Sequence, residues 1–154
     1  LKTRQTLNNL TQDCAKYTLK HLKLDKVLKN AELSVLITDN KTMQKINKET
    51  RGKNYATNVL SFPFLDFKEG KIKSVNETKI PIIFGDIICS YEKLQEEAEA
   101  QNKPINNHFT HLMVHSILHL LGFDHEKPKD AKKMEALEIE ILKKYFRINN
   151  PYVV

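Results

Sequence analysis

Four histidines, His108, His111, His115 and His119, recur at intervals of three and four residues, and this interval limits what the chain can fold into more than any other feature. On a helix turning about 100° per residue they fall within about 80° of one another and form a single polar stripe. The helix also carries its own stop. Gly122 lies three residues beyond His119 and can take the left-handed backbone that closes a helix, so the turn brings His125 back toward His115 and His119.

His115 and His119, four residues apart, can aim imidazole nitrogens at one ion, as H-E-x-x-H helices do in holding zinc. His125 supplies a third nitrogen. Three neutral imidazoles leave a tetrahedral ion one open position, taken by water in the resting state, which is how a catalytic rather than a structural zinc is held. The spacing therefore predicts one Zn2+ per chain on His115, His119 and His125. His111, one turn before His115, is placed to bind a phosphate or to hydrogen-bond a ligand from behind. His108 is read as a surface residue.

Around this helix the apolar periodicity changes from segment to segment. From about residue 4 to 22, Leu7, Leu10, Cys14, Tyr17 and Leu22 recur at helical spacing, an amphipathic helix expected to cover a sheet. Residues 32–38 alternate, with Leu33, Val35 and Ile37 on one side, and Asp39 can cap a short helix containing Met43 and Ile46. Thr57 to Phe62 is β-branched and aromatic and ends at Pro63, the mark of an edge strand, since proline cannot donate to a central ladder. Lys68-Glu69-Gly70-Lys71 reads as a turn or loop ahead of Ile80–Ser90, the most apolar strand and the natural centre of the sheet. Helices over Tyr91–Asn102 and Asn107–Leu121 flank Pro104, and the last runs from about Asp130 to Phe146 with Met134, Leu137, Ile141, Leu142 and Tyr145 inward. No repeat or long linker interrupts the 154 residues. The expectation is one metal-dependent hydrolase domain over 1–154, of α+β class: a small mixed sheet packed against several helices, with the metal site where the His-bearing helix ends and turns.

No apolar run approaches the roughly 18 residues that a membrane span needs, and the opening residues lack the apolar core of a secretory signal. A cytoplasmic protein is expected. Two cysteines, Cys14 and Cys89, far apart in sequence, agree with a reducing compartment. Lysine and arginine exceed the acids by six, giving a pI near 9.2, which favours polyanionic partners such as nucleic acid or an acidic membrane surface. Stripes such as Lys16, Lys20 and Lys23 are, by themselves, ordinary solvated helix faces.

The run His115-Ser116-Ile117-Leu118-His119-Leu120-Leu121-Gly122-Phe123-Asp124-His125 equals the metzincin protease pattern H-E-x-x-H-x-x-G-x-x-H in its ligand and glycine positions. Ser116, however, stands where those proteases place the glutamate that takes a proton from the attacking water, and serine is no substitute as a base. A second likeness is closer. HLMVHSILHLLGFDH resembles the H-G-x-L-H-L-x-G-Y-D-H signature of the YbeY-type endoribonucleases, bacterial rRNA maturation factors. Thr50-Arg51-Gly52-Lys53 followed by Thr57-Asn58-Val59-Leu60-Ser61-Phe62-Pro63 resembles that family's Y-R-x-K-D-x-P-T-D-V-L-S-F-P, and Gly85-Asp86-Ile87-Ile88 its G-D-I strand. The likeness covers about residues 30 to 145. Departures are Ser116 for glycine, Phe123 for tyrosine, and Ala56 and Asn58 for proline and aspartate.

The resemblance implies a single-strand-specific, metal-dependent RNase that acts in rRNA processing, notably near the small-subunit 3′ end, and in ribosome quality control. RNA, chiefly rRNA, is the implied partner, with the small ribosomal subunit as a candidate. It further implies Arg51 and His115 as catalytic residues. A guanidinium can hold two nonbridging phosphate oxygens through its planar fork, so Arg51 suits the charge that grows during phosphodiester cleavage, with Lys53 as an accompanying point charge and His111 as a third substrate contact. Asp86, within an apolar strand, is either a buried carboxylate bonded to a ligand histidine or to Arg51, or a residue turned outward at a bulge marked by Gly85. Asp124 can orient a ligand or cap the turn at Gly122. Cys89 reads as core. Two other readings stand beside the nuclease: an RNA-binding assembly factor with a structural zinc, and a zinc peptidase, which would need a carboxylate base that Ser116 does not provide.

Overall fold

The computed structural model describes residues 2–74 and 82–152. In chain order they form α1 (Lys2–His21), β1 (Ala31–Thr38), α2 (Asn40–Arg51), β2 (Val59–Pro63), β3 (Asp66–Lys68), β4 (Lys71–Ser74), β5 (Ile82–Ser90), α3 (Tyr91–Ala100), α4 (Ile105–Leu120) and α5 (Pro128–Phe146). The expected α+β arrangement is present. β5 is the middle strand of a mixed sheet, parallel to β1 and antiparallel to β2. Its apolar run suits that place, because both of its edges pair with neighbouring strands and Phe84, Ile87 and Cys89 are buried. β2 is at the edge, as Pro63 requires. Ile80 and Pro81, read with this strand, lie outside the described residues.

Gly85 interrupts β5 for a physical reason. Glu32 pairs with Ile83 but Leu33 pairs with Gly85, so Phe84 is an extra residue and the strand bulges there. A Cβ at Gly85 would lie 2.7 Å from the Phe62 carbonyl oxygen and 2.8 Å from Leu120 Cδ2, so only glycine lets α4 approach the sheet this closely. α4 packs against α1, α3, α5 and β2, with Phe109, Met113, Val114, Ile117, Leu118 and Leu120 fully buried. A helix apolar on most sides belongs inside a protein, and its histidine stripe is the main departure from that composition.

One expectation needs correction, and another, the turn at Lys68–Lys71, is met and extended. α1 does put Leu7, Leu10, Cys14 and Tyr17 toward the core, with Leu22 just past its end, but it covers chiefly α4 and α5 rather than the sheet. Tyr17 stacks on Tyr145 with ring centroids 5.0 Å apart and meets Phe146 edge-on at 5.8 Å, which ties α1 to α5. The segment Lys68 to Lys71 is the turn of a hairpin between β3 and β4, a separate two-stranded sheet. Glu69 and Gly70 both have positive φ, 49° and 78°, as a two-residue turn of this kind demands. Strands of three and four residues are too short to show alternation in a sequence.

This hairpin finishes α4. Glu69 and Gly70 donate their backbone N–H groups to the carbonyls of Gly122 and Leu121, at 3.3 and 2.8 Å, satisfying acceptors that the helix end leaves open. Gly122 has φ +85°, and a Cβ there would lie 2.2 Å from the Phe67 carbonyl oxygen. Gly122→Ala therefore combines a left-handed backbone with a clash against main chain, and is expected to cost about 3 kcal/mol or more. Urea unfolding of the variant measures it; a loss below about 1 kcal/mol would mean that the turn relaxes freely and does not fix the position of His125.

Candidate active site

The end of α4, the loop after α2 and the edge strand β2 enclose a cleft of about 750 Å³. Its walls include Arg51, Lys53, His111 and Asp124, and its floor includes His115, His119 and His125. Six of the residues singled out from sequence, together with His125 brought in by the Gly122 turn, thus share one concavity, as ligand sites usually do. Asp86 does not join them. It sits on β5 opposite Ser34 and Phe62, beside the bulge at Gly85, with no hydrogen bond to a histidine or to Arg51. Asp124 accepts a hydrogen bond from the Glu126 backbone N–H at 3.2 Å, so it shapes the turn that carries His125 and bonds to none of the three histidine rings.

The three histidines each offer a ring nitrogen within 4.8 Å of the other two. Their tautomers follow from their neighbours. His119 Nδ1 faces the Phe123 carbonyl oxygen at 2.9 Å and His115 Nδ1 faces the Glu138 carboxylate at 3.2 Å, and neither of those oxygens has a proton to give. Both Nδ1 atoms therefore carry the ring proton, which leaves two Nε2 lone pairs facing each other 3.1 Å apart. No proton bridges a pair of neutral rings so arranged. A cation between them would turn this repulsion into coordination, so the donor set fits a metal ion, and each ring is braced from behind as ligand histidines are.

Burial, with the nearby charge of His115 next in size, pushes the His119 pKa down to about 4. Burial alone would raise Glu138, but hydrogen bonds from His111 and His115 outweigh it and bring the carboxyl to about 2. Both groups fold in the form that acid removes. Between about pH 6.5 and 4 an unfolded His119 binds a proton that the folded one refuses, and below about 4.5 the same holds for Glu138. Stability of the metal-free protein is thus expected to be complete above about pH 6.5 and to fall as pH drops through about 4 toward 2. Urea melts across this range on chelator-treated protein check it; a flat profile would contradict the burial of these two groups.

Arg51 owes its place to the end of α2. Gly52 takes φ 70°, and the backbone N–H groups of Gly52 and Lys53 return to Lys48 and Asn47 at 3.0 and 3.4 Å, the double bond that closes a helix on a left-handed residue. The guanidinium donates to the Ser61 carbonyl oxygen at 3.2 Å and lies over the Phe62 ring, 5.6 Å from its centroid. Asn47, buried within α2, donates to the Tyr55 carbonyl oxygen at 2.9 Å and so ties the loop that follows Lys53 to the helix.

Sequence reading missed two residues of the site. Glu138 is 1% exposed, and Tyr152 reaches it from the C-terminal tail at 2.9 Å. A helical wheel could have placed Glu138 among the inward residues of α5, next to Leu137 and Ile141; nothing in the tail pointed to Tyr152. His108 was read as surface and is instead buried, with Nε2 3.0 Å from Glu97. Glu97 also accepts from the Asn58 amide at 3.2 Å, where an aspartate would bring two carboxylates together. Ser116 is fully buried with no partner for its hydroxyl, inside the core rather than in the cleft. Cys89 is core as expected, its thiol pushed up to about 12 by burial.

Fold and donor set together define a small α+β protein with a three-histidine site able to hold a metal ion in an open cleft. The family model described as Endoribonuclease YbeY matches residues 1–146. The chain belongs to that family. It is 44% identical over 146 residues to an Endoribonuclease YbeY of Bartonella quintana (strain Toulouse), covering 95% of this chain and 86% of that one. With its counterpart in Stenotrophomonas maltophilia (strain R551-3) it is 46% identical over 125 residues, 81% of this chain and 74% of that one. A solution structure of a Thermotoga maritima protein is similar with TM-score 0.48 and 21% identity, over 89% of this chain and 92% of that one.

Proposed function

We propose that this chain is a zinc-dependent endoribonuclease of ribosomal RNA processing, working in the cytoplasm as a single domain over residues 1–154. The observation that carries the reading is the pair of facing Nε2 lone pairs of His115 and His119, 3.1 Å apart at the floor of a cleft walled by Arg51 and Lys53. His115, His119 and His125 would hold the ion. When bound, zinc would supply a Lewis acid for a phosphate oxygen and a site that activates water. Arg51 and Lys53 draw the backbone of a single RNA strand into the cleft, and Arg51 presents its remaining N–H donors to nonbridging oxygens. Family membership supports RNA as the substrate, and the formal charge of +6 supports attraction to a polyanion. Among the described residues, no helix is long and apolar enough to cross a membrane.

A peptidase reading loses support from the structure. Ser116 is buried in the core, and Glu138 lies on the Nδ1 side of His115, away from the nitrogen that faces the other ligands. Three converging protein donors suit a catalytic ion better than a structural one, which takes four. The test sets a structured RNA with single-stranded loops beside a peptide library, using chelator-treated protein with and without added zinc. RNA cleavage should vanish with chelator and return with metal, and should weaken as salt rises. RNA cleavage indifferent to chelation would remove the metal from the reaction, and binding without cleavage in the zinc-loaded protein would favour the assembly-factor reading.

A further inference from the structure

Glu138 forms a second cluster behind the ligands. Its Oε1 accepts from His111 Nε2 at 2.7 Å and from His115 Nδ1 at 3.2 Å, while the Tyr152 hydroxyl donates to Oε1 at 2.9 Å and lies 3.1 Å from Oε2. An almost wholly buried carboxylate in a core helix is costly unless it is fully partnered, and here three donors from α4 and the tail converge on it. The tail is itself held in place. Lys103 Nζ donates to the Pro151 carbonyl oxygen at 2.6 Å, and the Tyr152 N–H donates to Asn150 Oδ1 at 2.9 Å. The Tyr152 ring meets His111 edge-on at 5.2 Å.

A carboxylate can only accept, so each ring nitrogen that faces it must carry the proton. That puts the proton on Nε2 of His111 and on Nδ1 of His115, although the two rings sit one helical turn apart on α4. We propose that Glu138, clasped by Tyr152, is a positioning residue that holds His111 and His115 in opposite ring tautomers, committing His115 Nε2 to the ion and leaving His111 Nδ1 as a hydrogen-bond acceptor at the cleft wall. The inference rests on His115, His119 and His125 being the metal site, but the tautomers themselves exist without the ion. A carboxylate behind a ligand histidine both fixes the ring and raises its basicity. One oxygen shared between a ligand and a non-ligand histidine then couples the metal to the side of the cleft where His111 stands.

The test is a long-range 1H–15N correlation spectrum of the histidine rings at about pH 8, above the histidine range, on metal-free and zinc-loaded full chain, with zinc affinity from chelator competition. In the metal-free wild type, His111 should show the Nε2–H tautomer and His115 the Nδ1–H tautomer. Glu138→Gln should mix the tautomers of His115 and weaken zinc by about 10- to 100-fold, the usual effect of losing such a brace. Tyr152→Phe, at a side chain about half exposed, should fold normally, disturb the His111 ring signals and weaken zinc by less. Mixed tautomers in the wild type would overturn the proposal, as would a Glu138→Gln protein with wild-type ring signals and zinc affinity. Should Glu138→Gln not fold, the wild-type tautomers and Tyr152→Phe decide. A wild type that shows both tautomers but binds no zinc would refute the metal reading and leave the clasp standing.

Discussion

His119→Ala is expected to lower zinc affinity by on the order of 10²- to 10³-fold, one ligand's share of the roughly 10–16 kcal/mol with which proteins hold such ions, and to reduce RNA cleavage to background. His119 is the most telling of the three because its loss leaves the rest of the site intact: Glu138 still braces His115 and the Gly122 turn still presents His125. Alanine there also removes a buried imidazole that resists protonation, so the metal-free variant should lose less stability than the wild type between about pH 6.5 and 4. Weaker metal binding together with flatter acid sensitivity distinguishes a missing ligand from a damaged fold. His108→Ala serves as the contrast. It removes the buried imidazole from its half-buried partner Glu97, which keeps only the Asn58 amide, and should lower stability by about 1–3 kcal/mol while zinc content stays near one per chain. Elemental analysis after dialysis, chelator competition and urea melts provide the readings. Full zinc content in His119→Ala would place the metal elsewhere.

Much of this site could be read from spacing because a helix is a rigid ruler. Intervals of three and four put His111, His115 and His119 on one side of α4, and a glycine at the right distance predicted the turn that returns His125. The strand order could be read in part, since Pro63 marked an edge and the apolar run marked the centre. What escaped depends on contacts between distant segments. Glu138 sits 23 residues from His115, and the tail that contributes Tyr152 has no periodicity to betray it. His108 was misjudged because a single polar residue on a helix looks exposed until its partner is known, and Glu97 lies on another helix. Asp86 was considered as a brace for the ligands, and the bulge beside Gly85 leaves it without that contact. The turn at Lys68–Lys71 was legible but its flanking strands β3 and β4 were too short to read, yet this hairpin supplies the donors that close α4.

Arg51→Ala should slow cleavage by on the order of 10²-fold or more, about 2.7 kcal/mol of transition-state stabilisation, by comparison with lost oxyanion donors. The structure sharpens that expectation. One N–H of the guanidinium is taken by the Ser61 carbonyl oxygen and its face rests on Phe62, which fixes the plane while its other donors remain for phosphate. Alanine removes the fork and the stacking together, but the side chain is exposed, so stability should change by less than about 0.5 kcal/mol. Zinc content should not change, because a guanidinium is no ligand for the ion. RNA affinity should fall only modestly, since Lys53 and the remaining basic surface still neutralise phosphates. Arg51→Lys keeps the charge without the planar fork and should restore little of the rate. Single-turnover cleavage of a structured RNA with enzyme in excess, run beside zinc analysis and a thermal melt of each variant, separates these effects. Near-wild-type cleavage by folded, zinc-loaded Arg51→Ala would show that the arginine does not meet the charge that develops on the phosphate. Lys53 and His111, which line the same cleft, would then be the residues to test for that role.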